Sequence, residues 1–308
     1  MASPLSFGKS ALKVLLGLVF IVSAVLKLFD MDRFEVYVYS YHFFSLNFSF
    51  IVARLAIVLE LVLGIGLLSH TLHKLYWWGS VAMLAGYTLL LIYALRIGRT
   101  DSCHCFGDYL QLDPKQSLIK NGALMLLFLP IFKMESWKTP FRWLILCLVV
   151  IVSAVGVFVI SPPDNYTAYY DPDHNLQAEL FDEMLDDAPL DSLHLREGKQ
   201  VVCLFSTGCE YCQLAARKLS LMQQFHGFPK EQITYLFMGN DESIVKFYEQ
   251  SESVRYQDVL YPDVERMLKA VDGNLPVIVF LEDGTVAHEY GYRNMDEDEI
   301  AAFFVQKN

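Results

Sequence analysis

The sequence predicts an α-helical transmembrane bundle followed by a separate α/β domain. Three observations predict it. Apolar runs of spanning length recur through the first 160 residues, and none follows. The charge is divided in the same place: to Ile160 there are 13 Lys+Arg against 8 Asp+Glu, and from Ser161 onward 11 against 27. After residue 190 the hydrophobic pattern becomes short buried runs alternating with amphipathic stretches, the order of a strand–helix domain. A domain with a net charge of −16 does not suit nucleic acid, because phosphate binding needs clustered Lys and Arg.

The first apolar run, 11–29, follows Lys9 and Lys13 and reads as a retained membrane helix. It exceeds the apolar core of a secretory signal, and no small-x-small cleavage site follows it. Further spans are expected at 48–68, 76–97, 117–133 and 141–160, joined by short connections. The segment 30–47 is rich in Tyr and Phe, which suits the headgroup level. These boundaries define a four-helix membrane domain at 1–138, a fifth transmembrane helix at 139–162, an acidic linker at 163–190 and an α/β domain at 191–308. Lys and Arg divide almost evenly between the two sides, so the positive-inside bias is weak. Five spans put both cysteine pairs of the chain on one face, and stable disulfide work favours the oxidising one.

Lys27, Arg54 and Glu60 lie inside apolar runs, where a charge is costly and faces the bundle interior with a partner. They mark a candidate quinone-headgroup or proton site, against the plainer reading of a structural ion pair. Gly64 and Gly66 would let neighbouring helices approach closely.

Ser161-Pro162-Pro163 ends the last span, since proline cannot continue a helix. Around 176–185 the acidic stretch carries a weak amphipathic pattern. Beyond it, 200–206 reads as a buried strand and 211–225 as a helix with Leu214, Leu219 and Met222 inward. A strand at 233–238, a helix at 242–250, a short strand at 257–261 and a helix at 262–271 follow. Asp283-Gly284 between 277–281 and 285–290 is a strong hairpin signal. A terminal helix at 295–305 has Asn294 as its expected N-cap.

Chemistry concentrates in the cysteines. Of six, Cys103 and Cys105 are one residue apart, Cys209 and Cys212 three, and Cys147 and Cys203 stand alone in apolar runs. Cys209-Glu210-Tyr211-Cys212 follows a strand and opens a helix. There the first thiol meets the positive end of the helix dipole, which favours thiolate. The second, one turn on, can resolve a mixed disulfide. Cys103-His104-Cys105 can close a small strained disulfide of oxidising character. A metal site is the competing reading, with His104 and a further ligand such as His42 or His174. Cys203 reads as a packed strand residue, and Cys147 as an inert buried thiol.

The segment 190–308 resembles thioredoxin-like proteins, on the strand–Cys209-x-x-Cys212–helix order and on Asn274-Leu275-Pro276-Val277. The resemblance implies a cis-proline at Pro276 beside the redox pair. Gly208 stands where many members have Trp, and Cys203 where thioredoxins proper have a buried acid.

Residues 8–135 resemble the DoxX/MauE family of four-helix membrane proteins. The carrying residues are Ser23-Ala24-Val25-Leu26-Lys27-Leu28-Phe29-Asp30, Glu60 with Gly64, Cys103-x-Cys105-Phe106-Gly107, and Lys120-Asn121. The resemblance implies a redox-associated membrane protein, linked in the MauE case to maturation of a disulfide-rich periplasmic enzyme. The fifth span and fused domain are similar instead to vitamin-K-epoxide-reductase-like proteins, which carry their own thioredoxin partner.

The expected function is membrane-bound thiol–disulfide exchange. Cys209 and Cys212, beside Pro276, would pass electrons to Cys103 and Cys105, with a quinone near Lys27, Arg54 or Glu60 as terminal acceptor. The expected partners are thiols or disulfides of extracytoplasmic client proteins and membrane lipid, without nucleic acid. The expected location is a bacterial inner membrane, with the C-terminal domain periplasmic. A non-catalytic assembly factor and a metal-handling protein are the alternatives.

Overall fold

A computed structural model describes residues 4–69, 71–98, 112–135, 139–164 and 176–304. It divides into two compact units, one of Met1–Tyr41 with Phe48–Pro163 and one of His42–Asn47 with Asp164–Asn308.

The first unit is helical. Its elements are α1 (Pro4–Phe29), α2 (Met31–Tyr39), α3 (Leu46–Leu68), α4 (His73–Arg96), α5 (Pro114–Phe128) and α6 (Arg142–Ile160). Among the described residues, four helices are long and apolar enough to cross a membrane: α1, α3, α4 and α6. Their outward faces carry Leu15, Leu18, Leu55, Leu59, Leu144 and Leu148, all exposed where lipid would lie. Inward faces build a core from Leu16, Phe20, Ile57, Leu63, Tyr76 and Phe128.

Glycine sets the closest approach. A Cβ at Gly64 on α3 would stand 2.9 Å from the Gly17 carbonyl oxygen of α1, and one at Gly17 would meet the Gly64 oxygen equally closely. Gly66 likewise leaves room for the ring of Tyr76. Both expected small-residue contacts are therefore present.

Two features depart from the sequence expectation. The aromatic segment after α1 contains a helix, α2, which buries Met31, Phe34, Val36 and Tyr39. Where a span is expected at 117–133 there is a shorter helix that starts earlier: Asp113 accepts from the Gln116 amide at 2.7 Å and Pro114 begins the helix. Its α-helical part ends at Phe128, and Leu129–Ile131 continues as a 3₁₀ turn around Pro130. At 15 residues its α-helical part is shorter than the four helices long and apolar enough to cross a membrane. The tightened turn leaves carbonyls open, and α4 fills them. Trp77 Nε1 donates to the Phe128 oxygen at 2.8 Å, and His73 Nε2 pairs with the Ile131 oxygen at 2.8 Å.

The second unit is a mixed sheet wrapped by helices. In chain order it has α7 (Ala178–Leu185), a single turn α8 (Ala188–Asp191), β1 (Lys199–Ser206), α9 (Glu210–His226) and β2 (Ile233–Met238). It continues with α10 (Asp241–Ser251), β3 (Gln257–Leu260), α11 (Val264–Ala270), β4 (Val277–Glu282), β5 (Thr285–Tyr290) and α12 (Glu297–Phe304). The strand order is β3-β2-β1-β4-β5. β1 runs parallel to β2 and antiparallel to β4, with Cys203 opposite Tyr235 and Ile278. Central strands buried on both faces explain the continuous apolar runs read in the sequence.

The hairpin turns at Asp283 and Gly284, both with positive φ. The N-cap of α12 is a correction. Asn294 accepts from the Gly291 amide, closing the preceding turn, and Asp296 instead accepts from the amides of Asp298 and Glu299 at 2.9 and 3.0 Å. Cys147 is also corrected: it is exposed on α6, not packed inside the bundle.

Candidate functional site

β1 delivers the chain to the site. At its end the Cys209 amide donates to the Ser206 carbonyl at 3.1 Å, and the Thr207 amide to that of Met238 at 3.1 Å. This tight turn places Cys209 as the N-cap of α9, in extended backbone conformation. Its Sγ accepts the backbone N–H of Cys212 at 3.2 Å, so a sulfur takes the position that an Asp or Ser oxygen fills in an ordinary cap.

The two thiols are thereby separated in character. The Cys212 thiol donating to Cys209, aided by the amides of Cys212 and Tyr211, lowers Cys209 to about 7 against the opposing effect of burial. Burial pushes Cys212 up, with the neighbouring Cys209 adding to it. Cys209 is half-buried, whereas Cys212 is fully buried, and both are free thiols. At neutral pH the accessible sulfur is about half thiolate and the inner one is protonated. An accessible thiolate beside a buried protonated thiol is chemically able to exchange disulfides.

Pro276 has the isomer that the resemblance to thioredoxin-like proteins implies. The Leu275–Pro276 peptide bond is cis, and the Leu275 carbonyl oxygen is 4.0 Å from Cys209 Sγ. β4, which starts at Val277, runs beside β1, so the loop and the cysteines meet at one end of the sheet. Cys203 is packed within β1 with its thiol pushed up by burial, and shows no accessible thiol chemistry. Cys103, His104, Cys105 and His174 lie outside the described residues.

The membrane charges form two clusters. Lys27 and Glu60 make a buried ion pair in which Glu60 Oε1 also accepts from Tyr87 Oη at 2.9 Å. Lys27 Nζ donates to Ser23 Oγ at 3.1 Å and stands over the rings of Tyr87 and Phe34 at 5.0 and 5.5 Å. Arg54 belongs to the other cluster. Its guanidinium meets Glu35 Oε2 at 2.8 Å and the Phe50, Ser161 and Pro162 carbonyls at 2.8, 2.7 and 2.6 Å. It thus satisfies backbone just past the C-terminal end of α6.

Next to Lys27 and Glu60 is a cavity of about 30 Å³, lined also by Tyr87, Lys120 and Asn121. Its volume holds roughly two water molecules, well short of a quinone ring, so no step is derived through that cofactor. Tyr87 escaped the sequence reading, because a lone tyrosine in an apolar helix looks like any other packed aromatic.

Comparison with known proteins agrees with this division. Residues 6–134 match the family model described as methylamine utilisation protein MauE. The chain is also similar to Protein TlpB of Flavobacterium psychrophilum, 23% identical over 302 residues that cover 82% of this chain and 82% of that protein. No solved structure matches. This is a multi-pass membrane protein with a MauE-like N-terminal part and a thioredoxin-like C-terminal part.

Proposed function

We propose that the chain is a membrane-bound thiol–disulfide oxidoreductase, with Cys209 as the attacking sulfur and Cys212 as the resolving one. The observation that carries the reading is the split between the two thiols. An accessible sulfur held at about 7 by the Cys212 thiol and, after it, by helix-end amides stands three residues from a buried, protonated one.

In the proposed cycle a client thiolate attacks Cys209 of the oxidised pair and displaces Cys212. A second client thiol then displaces Cys209. The client leaves as a disulfide, and two electrons remain on the Cys209/Cys212 dithiol. The Cys209 thiolate next attacks an oxidised Cys103–Cys105 pair, and Cys212, on losing its proton, displaces that mixed disulfide. Two electrons and two protons have then moved to Cys103 and Cys105. Every exchange is reversible, so the potentials of the partners set the direction. Fusion of the two parts supports the relay, because a tethered partner reaches a high effective concentration. The cysteine pairs would share the oxidising, periplasmic face of a bacterial inner membrane.

A Cys212→Ala variant tests the core of this reading. Without the resolving thiol, a mixed disulfide of Cys209 with Cys103, Cys105 or a client should accumulate in the membrane fraction, visible by non-reducing electrophoresis and mass spectrometry. Absence of every such adduct, with Cys209 alkylatable, would overturn it.

A further inference from the structure

We propose that Tyr211, between the two cysteines, selects partners that carry an aromatic side chain beside their reacting cysteine. This inference rests on the thiol-exchange reading above. Tyr211 is 44% exposed although it sits in the first turn of α9, next to the half-buried Cys209. A tyrosine joins a large apolar ring to a polar tip, which suits it to a contact surface, and this one shares the first turn of α9 with Cys212.

The ring is held from behind. It packs against Tyr292, only 3% exposed, with ring centroids 5.4 Å apart. The Arg293 guanidinium lies 5.5 Å from the centroids of both rings. Lys218 Nζ stands 3.8 Å over the Tyr292 ring and donates to the Tyr292 carbonyl at 3.2 Å. Asp164 joins the two cations, taking Lys218 on one oxygen at 2.8 Å and Arg293 on the other at 2.5 Å. Asp164 and Lys218 are fully buried. Four side chains from three separate parts of the chain thus fix one exposed ring beside the attacking sulfur. A pre-fixed tyrosine binds with little loss of rotamer freedom, which is why such residues serve as recognition anchors.

Charge decides between partner chemistries. Lys218 and Arg293 are balanced by Asp164 and by the exposed Glu210 beside Tyr211, so the patch has no surplus cation to select an acidic partner. The ring itself is what remains to be read. An aromatic neighbour of the partner's cysteine can stack offset or edge-on against it as the sulfurs approach.

The test uses the full chain, reduced, in detergent micelles. Its substrates are three symmetrical peptide disulfides that are identical except for Phe, Ser or Asp beside the single cysteine. The second-order rate for the Phe peptide should exceed that for the Ser peptide by about three- to tenfold, the range expected for one aromatic contact. Tyr211→Phe should keep that ratio, and Tyr211→Ala should bring it near one. Equal rates in the unmodified protein, a ratio unchanged by Tyr211→Ala, or a fastest reaction with the Asp peptide would overturn the inference. Loss of the thiol-exchange reading itself would look different: no reaction with any peptide, nor with bis(2-hydroxyethyl) disulfide.

Discussion

The backbone amide of Cys212 donates to the sulfur of Cys209 across 3.2 Å, so one residue of the motif supports the charge of the other. The Cys212 side chain, meanwhile, is withheld from solvent. Within the Cys209–Cys212 pair, alkylation by iodoacetamide should therefore be confined to Cys209 in the reduced protein. Its rate should rise with pH around a midpoint near 7, the pKa of that thiol. Peptide mapping after alkylation at several pH values checks this, and a midpoint near 9, the ordinary value, would contradict the hydrogen-bonded cap.

The same shift has a sign for stability. A lowered folded-state pKa favours the folded dithiol at high pH, and the contribution disappears as pH falls through the folded value. Reduced protein should gain stability from Cys209 between about pH 7 and pH 9. Cys212, whose pKa is raised by burial, acts the other way, and its cost begins above the ordinary thiol value of about 9. Thermal unfolding of reduced Cys209→Ala beside the parent should show a gap that widens over that window and narrows in acid.

Lys27 and Glu60 are each nearly inaccessible, so removing one strands the other. Lys27→Met should lower stability in detergent by about 3–5 kcal/mol, the usual cost of leaving one partner of a buried pair uncompensated. Lys27→Met combined with Glu60→Met should recover most of that loss. A double-mutant cycle by thermal unfolding reads the difference, and additive losses would show that the pair is not coupled.

Trp77 closes the end of α5 by donating to the Phe128 carbonyl. Trp77→Phe keeps most of the ring and removes the donor, leaving a buried acceptor open at a cost of about 1–3 kcal/mol. A smaller loss, measured by unfolding in detergent, would imply that water reaches that carbonyl.

Gly64 and Gly86 make a matched pair. Gly64→Ala would press a methyl against the Gly17 carbonyl at 2.9 Å and should cost about 1–3 kcal/mol as α1 and α3 separate. Gly86→Ala, with nothing within 4 Å, should be neutral or slightly stabilising.

The C-terminal domain was legible because its signals are local. Alternation, the Asp283-Gly284 turn and the helix opening at Glu210 each depend on a few neighbouring residues. Asn294 misled because Asn294 and Asp296 both carry capping chemistry, and only the turn at Gly291 decides which one caps. Pro130 was visible, but not that α4 would supply donors across 51 and 58 residues of sequence. The support behind Tyr211 is hidden for the same reason. Asp164 reaches Lys218 over 54 residues and Arg293 over 129, and no periodicity encodes such a meeting.

The sulfur that caps α9 also bounds the electrochemistry of the couple. Lowering a thiol from 9 to about 7 stabilises the reduced form only to the extent that it is ionised. At pH 7 that is about a twofold preference, worth roughly 9 mV at 29.6 mV per decade, and at pH 8 about tenfold, or roughly 30 mV. The lowered pKa therefore supplies attacking thiolate at neutral pH without turning the pair into a strong oxidant. What draws electrons through the site must come from the partners on either side of it.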